Sequence, residues 1–220
     1  MLSQGIGFFM TYSGETPLPL WPPTTRRCVR ECRPDSFRLR PRRECDFFQG
    51  VNVKSAVTIR HIFVSSGHNF YGRHGQPAGE FATNDVPFVK CRAGWGLEGD
   101  RFYGYRPDYN GQITFFSWET YEGIKRGLGV SALRPEAFRR NVLVEGAHLN
   151  SLIGSRFSLG GIDFQGMCES KPCHWMNEAV APGAEEWLRG HGGLRAKILT
   201  DGVLRCGPSE LYAGDLLAFN

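Results

Sequence analysis

Ile113-Thr114-Phe115-Phe116-Ser117-Trp118-Glu119-Thr120-Tyr121-Glu122-Gly123-Ile124 is the stretch on which the fold turns. Its first four residues are an apolar strand candidate. Ser117 can then cap a helix, because its hydroxyl can accept from a free N–H of the first turn. Trp118, Tyr121, Ile124 and Leu128 fall on one face of that helix. Working outward, Val57-Thr58-Ile59-Arg60 alternates apolar and polar as a half-buried strand does. Residues 141–144, 156–159 and 162–165 read as further short strands, and residues 184–189 as a short helix stopped by Gly190, Gly192 and Gly193. Residues 194–199 and 203–206 flank Asp201-Gly202, a pair suited to the positive φ angles of a tight turn, which predicts a hairpin. Residues 214–219 are expected to form the last strand. Many short strands with a few short helices imply a mainly β (α+β) domain, curled or closed into a barrel.

The chain has 220 residues, 41% of them hydrophobic, enough for one globular domain with its own core. No apolar run approaches the roughly 20 residues that cross a bilayer, so no membrane span is expected. The opening residues lack a basic flank and soon reach Glu15, which makes a poor signal peptide. Seven scattered cysteines, an odd number, point to reduced thiols in a cytoplasmic protein rather than a disulfide framework. The formal net charge is +4, and most of it sits in residues 1–50, where eight arginines face five acids. The rest is close to neutral, which argues against the broad basic face of a nucleic-acid-binding protein. Residues 1–55 show neither helical nor strand periodicity and read as an irregular or disordered extension before a domain at 56–220; a natural start further downstream is the alternative. Cys28, Cys32 and Cys45 lack an obvious fourth ligand for zinc.

The chemistry gathers in Gly166-Met167-Cys168-Glu169-Ser170-Lys171-Pro172-Cys173-His174-Trp175. Cys173 follows a proline, with a lysine on one side and a histidine on the other. Positive neighbours favour the thiolate, the form that attacks electrophiles and binds soft metals. Three other segments accompany it: Gly96-Leu97-Glu98-Gly99-Asp100-Arg101, Phe138-Arg139-Arg140-Asn141-Val142-Leu143-Val144 and Gly192-Gly193-Leu194-Arg195-Ala196.

In this order and spacing the four segments resemble the MOSC family, the domain at the C-terminus of molybdenum cofactor sulfurases, also found as small bacterial stand-alone proteins and in mitochondrial amidoxime-reducing components. The resemblance covers about residues 57–220. It implies a mostly β, barrel-like fold and a role in binding the molybdenum cofactor or handling its sulfur. It implies that Cys173 ligates molybdenum. Arg139 and Asn141 match the arginine and asparagine of an Arg-Pro-Asn cofactor motif, with Arg140 in the place of the proline. Arg101 is an expected cofactor contact; Phe102 stands where many bacterial members have histidine. The stretch Ser65-Ser66-Gly67-His68 matches the phosphate side of the cofactor site, which implicates Ser66 and His68.

The residue chemistry is compatible with that. A soft thiolate suits a dithiolene-bound molybdenum, arginine forks suit a terminal phosphate, and an asparagine can both donate to and accept from a pterin edge. Plainer readings stand beside these. A buried, inert thiol is the commonest fate of a cysteine, and Cys91 and Cys206 read as structural. Cys168 is either structural or a helper thiol that resolves a persulfide or pairs with Cys173. Asp100 and Arg101 form either a loop-pinning ion pair or a ligand contact. A surface position is the default for His174. The Gly192-Gly193 run reads as a turn, and strand alternation would send Arg139 and Arg140 to opposite faces.

Three functions follow from the resemblance. One is a molybdenum oxidoreductase acting on small N-hydroxylated substrates, with electrons from a separate reductase, since the chain holds no iron–sulfur or haem attachment pattern. Another is a sulfur carrier holding a Cys173 persulfide. It would be served by a separate cysteine desulfurase, because 220 residues leave no room for the family's pyridoxal phosphate domain. The third is a non-catalytic cofactor-binding module.

Overall fold

Strand β1 (Val53–Val64) runs the length of the domain and joins its two ends. Its first half pairs with β11 (Gly207–Ala213) and its middle with β6 (Val142–Glu145), both antiparallel. The computed structural model describes residues 53–214 apart from 71, 72, 74 and 75. The expected N-terminal extension, Cys28, Cys32 and Cys45, and residues 215–219 of the expected last strand lie outside the described residues.

From β1 the ring continues through β11 to β7 (Arg156–Leu159), β8 (Ile162–Glu169), β9 (Leu194–Ile198), β5 (Ile113–Ser117) and β6, and so back to β1. This is a closed seven-stranded barrel, the mainly β fold that the strand pattern implies. Six of its neighbour pairs are antiparallel; β5 and β6 alone are parallel. Parallel neighbours need a long crossover. It is supplied by helix α1 (Trp118–Gly127) and a 3₁₀ turn (Pro135–Phe138). Short strand β2 (Asn84–Asp85) extends the sheet from the end of β1, and β3 (Phe88–Arg92), β4 (Gly96–Leu97) and β10 (Gly202–Arg205) form a separate small sheet.

Alternation along β5 and β6 divides the core in two. Phe115, Val142 and Val144 turn into the barrel, where the Phe115 ring meets Phe157 and Phe164 edge-on. Phe116 and Leu143 turn outward and pack with Tyr121 and Ile124 of α1, Phe138, and Met176 of α2 (Trp175–Ala179). Ser117 caps α1 as expected, its Oγ accepting from Thr120 N–H at 3.1 Å. The short helix expected over 184–189 is α3 (Ala184–Trp187), and Gly190 beyond it takes a φ of 76°.

The expected hairpin does not form. Both edges of β9 are occupied, by β5 and β8, so β10 has no free edge there and pairs instead with β3. Asp201 serves that arrangement: its carboxylate accepts from Ala93 N–H at 2.7 Å and from Arg92 at 2.9 Å. The last described strand is β11, whose Gly207-Pro208-Ser209-Glu210 start carries no apolar run for a sequence reading to find.

Strand β8 is bulged at Met167: Gly166 faces Ala196 and Cys168 faces Arg195. Just before the bulge, a Cβ on Gly166 would lie 2.0 Å from the Leu152 carbonyl oxygen. Gly166→Ala is therefore expected to lower stability by at least about 2 kcal/mol, measured by urea unfolding. A variant as stable as the parent would show that this contact does not constrain β8.

Candidate functional site

At one end of the barrel, segments distant in sequence converge on a cleft of about 150 Å³. That volume encloses a small oxyanion or one end of a larger ligand; pockets that swallow a drug-sized molecule run to about 300–1,000 Å³. Arg101, Arg139, Arg140, Arg195, Cys173 and His68 all reach it, with Phe70, Phe102 and Trp175 among the apolar walls. The four segments singled out in the sequence thus meet in one place.

Cys173 is exposed, and no disulfide joins it to Cys168, which is also a free thiol. The loop that carries it is held by close backbone approach. Ser170 N–H donates to the Gly193 carbonyl at 2.7 Å. A Cβ on Gly192 would fall 2.3 Å from the Ser170 oxygen, so only glycine lets these segments cross. The Gly192-Gly193 run is therefore a crossing point for the cysteine loop.

The arginines arrive by a route that strand alternation does not describe. Arg139 lies outside β6, at the end of the 3₁₀ turn, with φ 53° and ψ 35°. A left-handed conformation is uncommon away from glycine, and here it leaves Arg139 and Arg140 on the same cleft instead of on opposite faces. The Arg139 guanidinium donates to Thr83 Oγ1 (3.2 Å), Ser65 Oγ (3.2 Å) and the Gly67 carbonyl (2.9 Å), so it clasps both ends of the segment that bears His68. Arg101 donates to Asp100 at 3.3 Å and lies over the Phe102 ring, so it is both ion-paired and on the cleft wall.

Asn141 sits behind the cleft. It is 3% exposed, and its amide is fully engaged: Nδ2 donates to the Phe63 carbonyl and the Asp100 carboxylate, and Oδ1 accepts from Thr114 N–H and Oγ1. It organises the site from the core. Ser66 is exposed, and its neighbour Ser65, which the sequence reading passed over, is the buried one and the partner of Arg139. Arg140, Arg195 and Trp175 also escaped that reading as site residues. Arg140 and Arg195 were visible as arginines inside the quoted segments, but only the fold shows which way they face.

The cleft is electropositive and short of counter-charge. Burial pushes the Arg139 guanidinium down to about 10, and the Arg101 charge adds to this. Burial likewise brings Arg140 to about 10, with Arg195 the next cause. A guanidinium stays protonated near neutral pH regardless, so Arg139 and Arg140 are held charged in a poorly solvated place. Among the described residues no cluster of three or more His, Cys, Asp or Glu side chains is placed to hold a metal ion. The cleft's own donor set, one soft thiol with several guanidiniums and flat apolar walls, is chemically compatible with a molybdenum bound by the sulfurs of an anionic pterin.

A MOSC domain family model matches residues 73–216. The chain belongs to the MOSC domain family. Its barrel is also found in solved structures. YuaD from Bacillus subtilis matches with a TM-score of 0.61 at 19% identity, over 74% of this chain and 99% of that one. YiiM from Geobacillus stearothermophilus matches with 0.51 at 17% identity, over 70% and 74%. At such identities the likeness is one of fold. No curated protein sequence matches the chain. Among the described residues no helix is long and apolar enough to cross a membrane.

His68 reports on the charge of this MOSC cleft. Desolvation, and then the Arg101 and Arg139 charges, lower its pKa. An unfolded chain would take up this proton near pH 6.5, about the free value, before the folded one does. The imidazole's share of stability is thus present above that pH and lost as pH falls through the folded value. In an NMR titration the His68 midpoint is expected below 6.5, and added sulfate should move it upward by offsetting the arginines. A midpoint at or above 6.5 would contradict the electrostatic picture.

Proposed function

We propose that this MOSC protein binds the molybdenum cofactor in the cleft, with Cys173 as the sulfur ligand to the metal, and that it is a cytoplasmic reductase of small N-hydroxylated compounds. The observation that carries this is an exposed thiol on a cleft lined by four guanidiniums. Arg101, Arg139 and His68 would face the anionic side of the cofactor, and the phenyl and indole walls its flat ring system. Asn141 would act indirectly, by fixing Asp100 and, through it, Arg101. When bound, the cofactor supplies a centre that changes oxidation state and accepts oxygen.

The protein's own contribution is to bind, orient and exclude water. Phe70 and Trp175, in ring contact at 5.0 Å, shield one side of the cleft. Cleavage of an N–OH bond consumes electrons and protons and yields N–H and water. In this proposal a separate reductase supplies the electrons.

A sulfur-carrier reading is favoured by the exposure of Cys173, which leaves it open to a macromolecular donor. A persulfide is an anion, and the same guanidiniums would hold it. Incubation with a cysteine desulfurase is the discriminating measurement: a mass gain of about 32 Da on Cys173, one sulfur, supports the carrier.

For the favoured reading, protein purified from a host that makes the cofactor should contain molybdenum and pterin in near-equal amounts. Cys173→Ser should abolish reduction of N-hydroxylated substrates supported by an added reductase, while the fold melts as before. Parent protein without molybdenum or pterin, or a Cys173→Ser variant with full activity, would refute it.

A further inference from the structure

Arg140 and Arg195 are the charged cleft residues to which the cofactor reading gives no task. They come from different elements, Arg140 from the end of the crossover and Arg195 from β9, and they flank the same cleft as Cys173. The Arg140 guanidinium is fixed by three carbonyls. Nε donates to Gly192, Nη1 to Phe138 and Nη2 to Ser170, each at 2.9 Å. A guanidinium carries five N–H donors, so each terminal nitrogen of Arg140 keeps one. The backbone of Arg195 is tied into β9 between β5 and β8, and among the described residues its guanidinium joins no side-chain hydrogen bond or ion pair.

The two cations also sense each other. Arg195 is the strongest charge acting against Arg140, while Cys173 and Glu169 act in its favour. Glu169 is the acid nearby, and its Oε1 accepts from Gly192 N–H at 3.1 Å. Two like charges held in one cleft, one of them immobilised by carbonyls with donors to spare, cost stability unless something negative joins them.

We propose that Arg140 and Arg195 form an oxyanion subsite beside Cys173, which takes the carboxylate or phosphate group of an anionic substrate and holds that substrate against the sulfur-bound centre. Planar guanidiniums match the paired oxygens of such groups. Arg140 is the preset half and Arg195 the adaptable half. The inference rests on Cys173 marking the reacting end of the cleft, as proposed above. The same oxyanion chemistry could be met by the phosphate of the cofactor itself, and the experiment separates the two.

The test uses the full chain made in a host that lacks the cofactor, so that Cys173 is free. Alkylation by anionic iodoacetate and by neutral iodoacetamide is followed at Cys173 by peptide mass spectrometry. Both reagents react with the same thiolate, so the ratio of their rates cancels its abundance and reports the local anion preference. Relative to the same cysteine in the urea-unfolded chain, the ratio should rise about tenfold. Sulfate should suppress the rise, Arg195→Gln should remove most of it, and Arg195→Lys should keep most of it. A ratio equal to that of the unfolded chain, or unaltered in Arg195→Gln, overturns the subsite.

A second arm uses protein from a cofactor-making host. Unchanged molybdenum and pterin content in Arg195→Gln assigns the pair to substrate. A loss of both assigns it to the cofactor's phosphate and overturns the substrate role. Should the parent itself carry no cofactor, the cofactor reading fails by that result, while the alkylation ratio still decides the subsite.

Discussion

A closed ring of seven strands cannot be antiparallel throughout. Each antiparallel neighbour reverses direction, and an odd number of reversals does not return to the start. One pair must be parallel, and here it is β5 and β6. Parallel neighbours need a crossover, and this crossover ends on the 3₁₀ turn that delivers Arg139 and Arg140 to the cleft. The site thus stands where the topology is forced to change, at the end of the barrel where β6 begins. The same two strands supply the faces that hold α1, so barrel closure, helix packing and the placement of the arginines are one solution to one constraint.

Beneath the cleft, the Asp100 carboxylate joins the pieces. Its side chain is 1% exposed. It accepts from Asn141 Nδ2 at 3.1 Å, from Phe102 N–H at 3.1 Å, from Arg101 at 3.3 Å and from Ser65 N–H at 3.4 Å. A buried carboxylate is tolerable when it is paired and hydrogen-bonded in this way. Its charge pairs with Arg101 directly and also acts on Arg139, while Glu169 acts on Arg140, so two carboxylates sit among four cleft guanidiniums. The thiol at the edge adds the soft donor. Charge, sulfur and apolar walls together match a family whose members are associated with the molybdenum cofactor.

Much of this was legible in the sequence. The passage from strand to helix at Ser117 could be read because cap and periodicity agree, and Cys173 because its segment recurs in the family pattern. The barrel followed from the number of short strands. The hairpin at Asp201-Gly202 was misread because local turn chemistry does not know that β9 has both edges occupied. Strand β11 was missed because its first residues carry neither apolar alternation nor bulk; its pairing is enforced by β1 and β7. The facing of Arg139 and Arg140 was misjudged because a left-handed residue outside glycine leaves no mark in sequence. Asn141 was singled out as the asparagine of the resembling motif, and in the structure its amide bonds all turn inward. A single residue's chemistry gives its capabilities, and only the packing gives its direction.

The central claim is that the sulfur of Cys173 and the surrounding guanidiniums form one binding site for a metal that arrives with its own sulfur ligands. X-ray absorption at the molybdenum edge, on protein purified from a cofactor-making host, addresses it directly. The account predicts a sulfur shell around the metal that loses one scatterer when Cys173 is replaced by serine. A sulfur shell identical in parent and variant would contradict it.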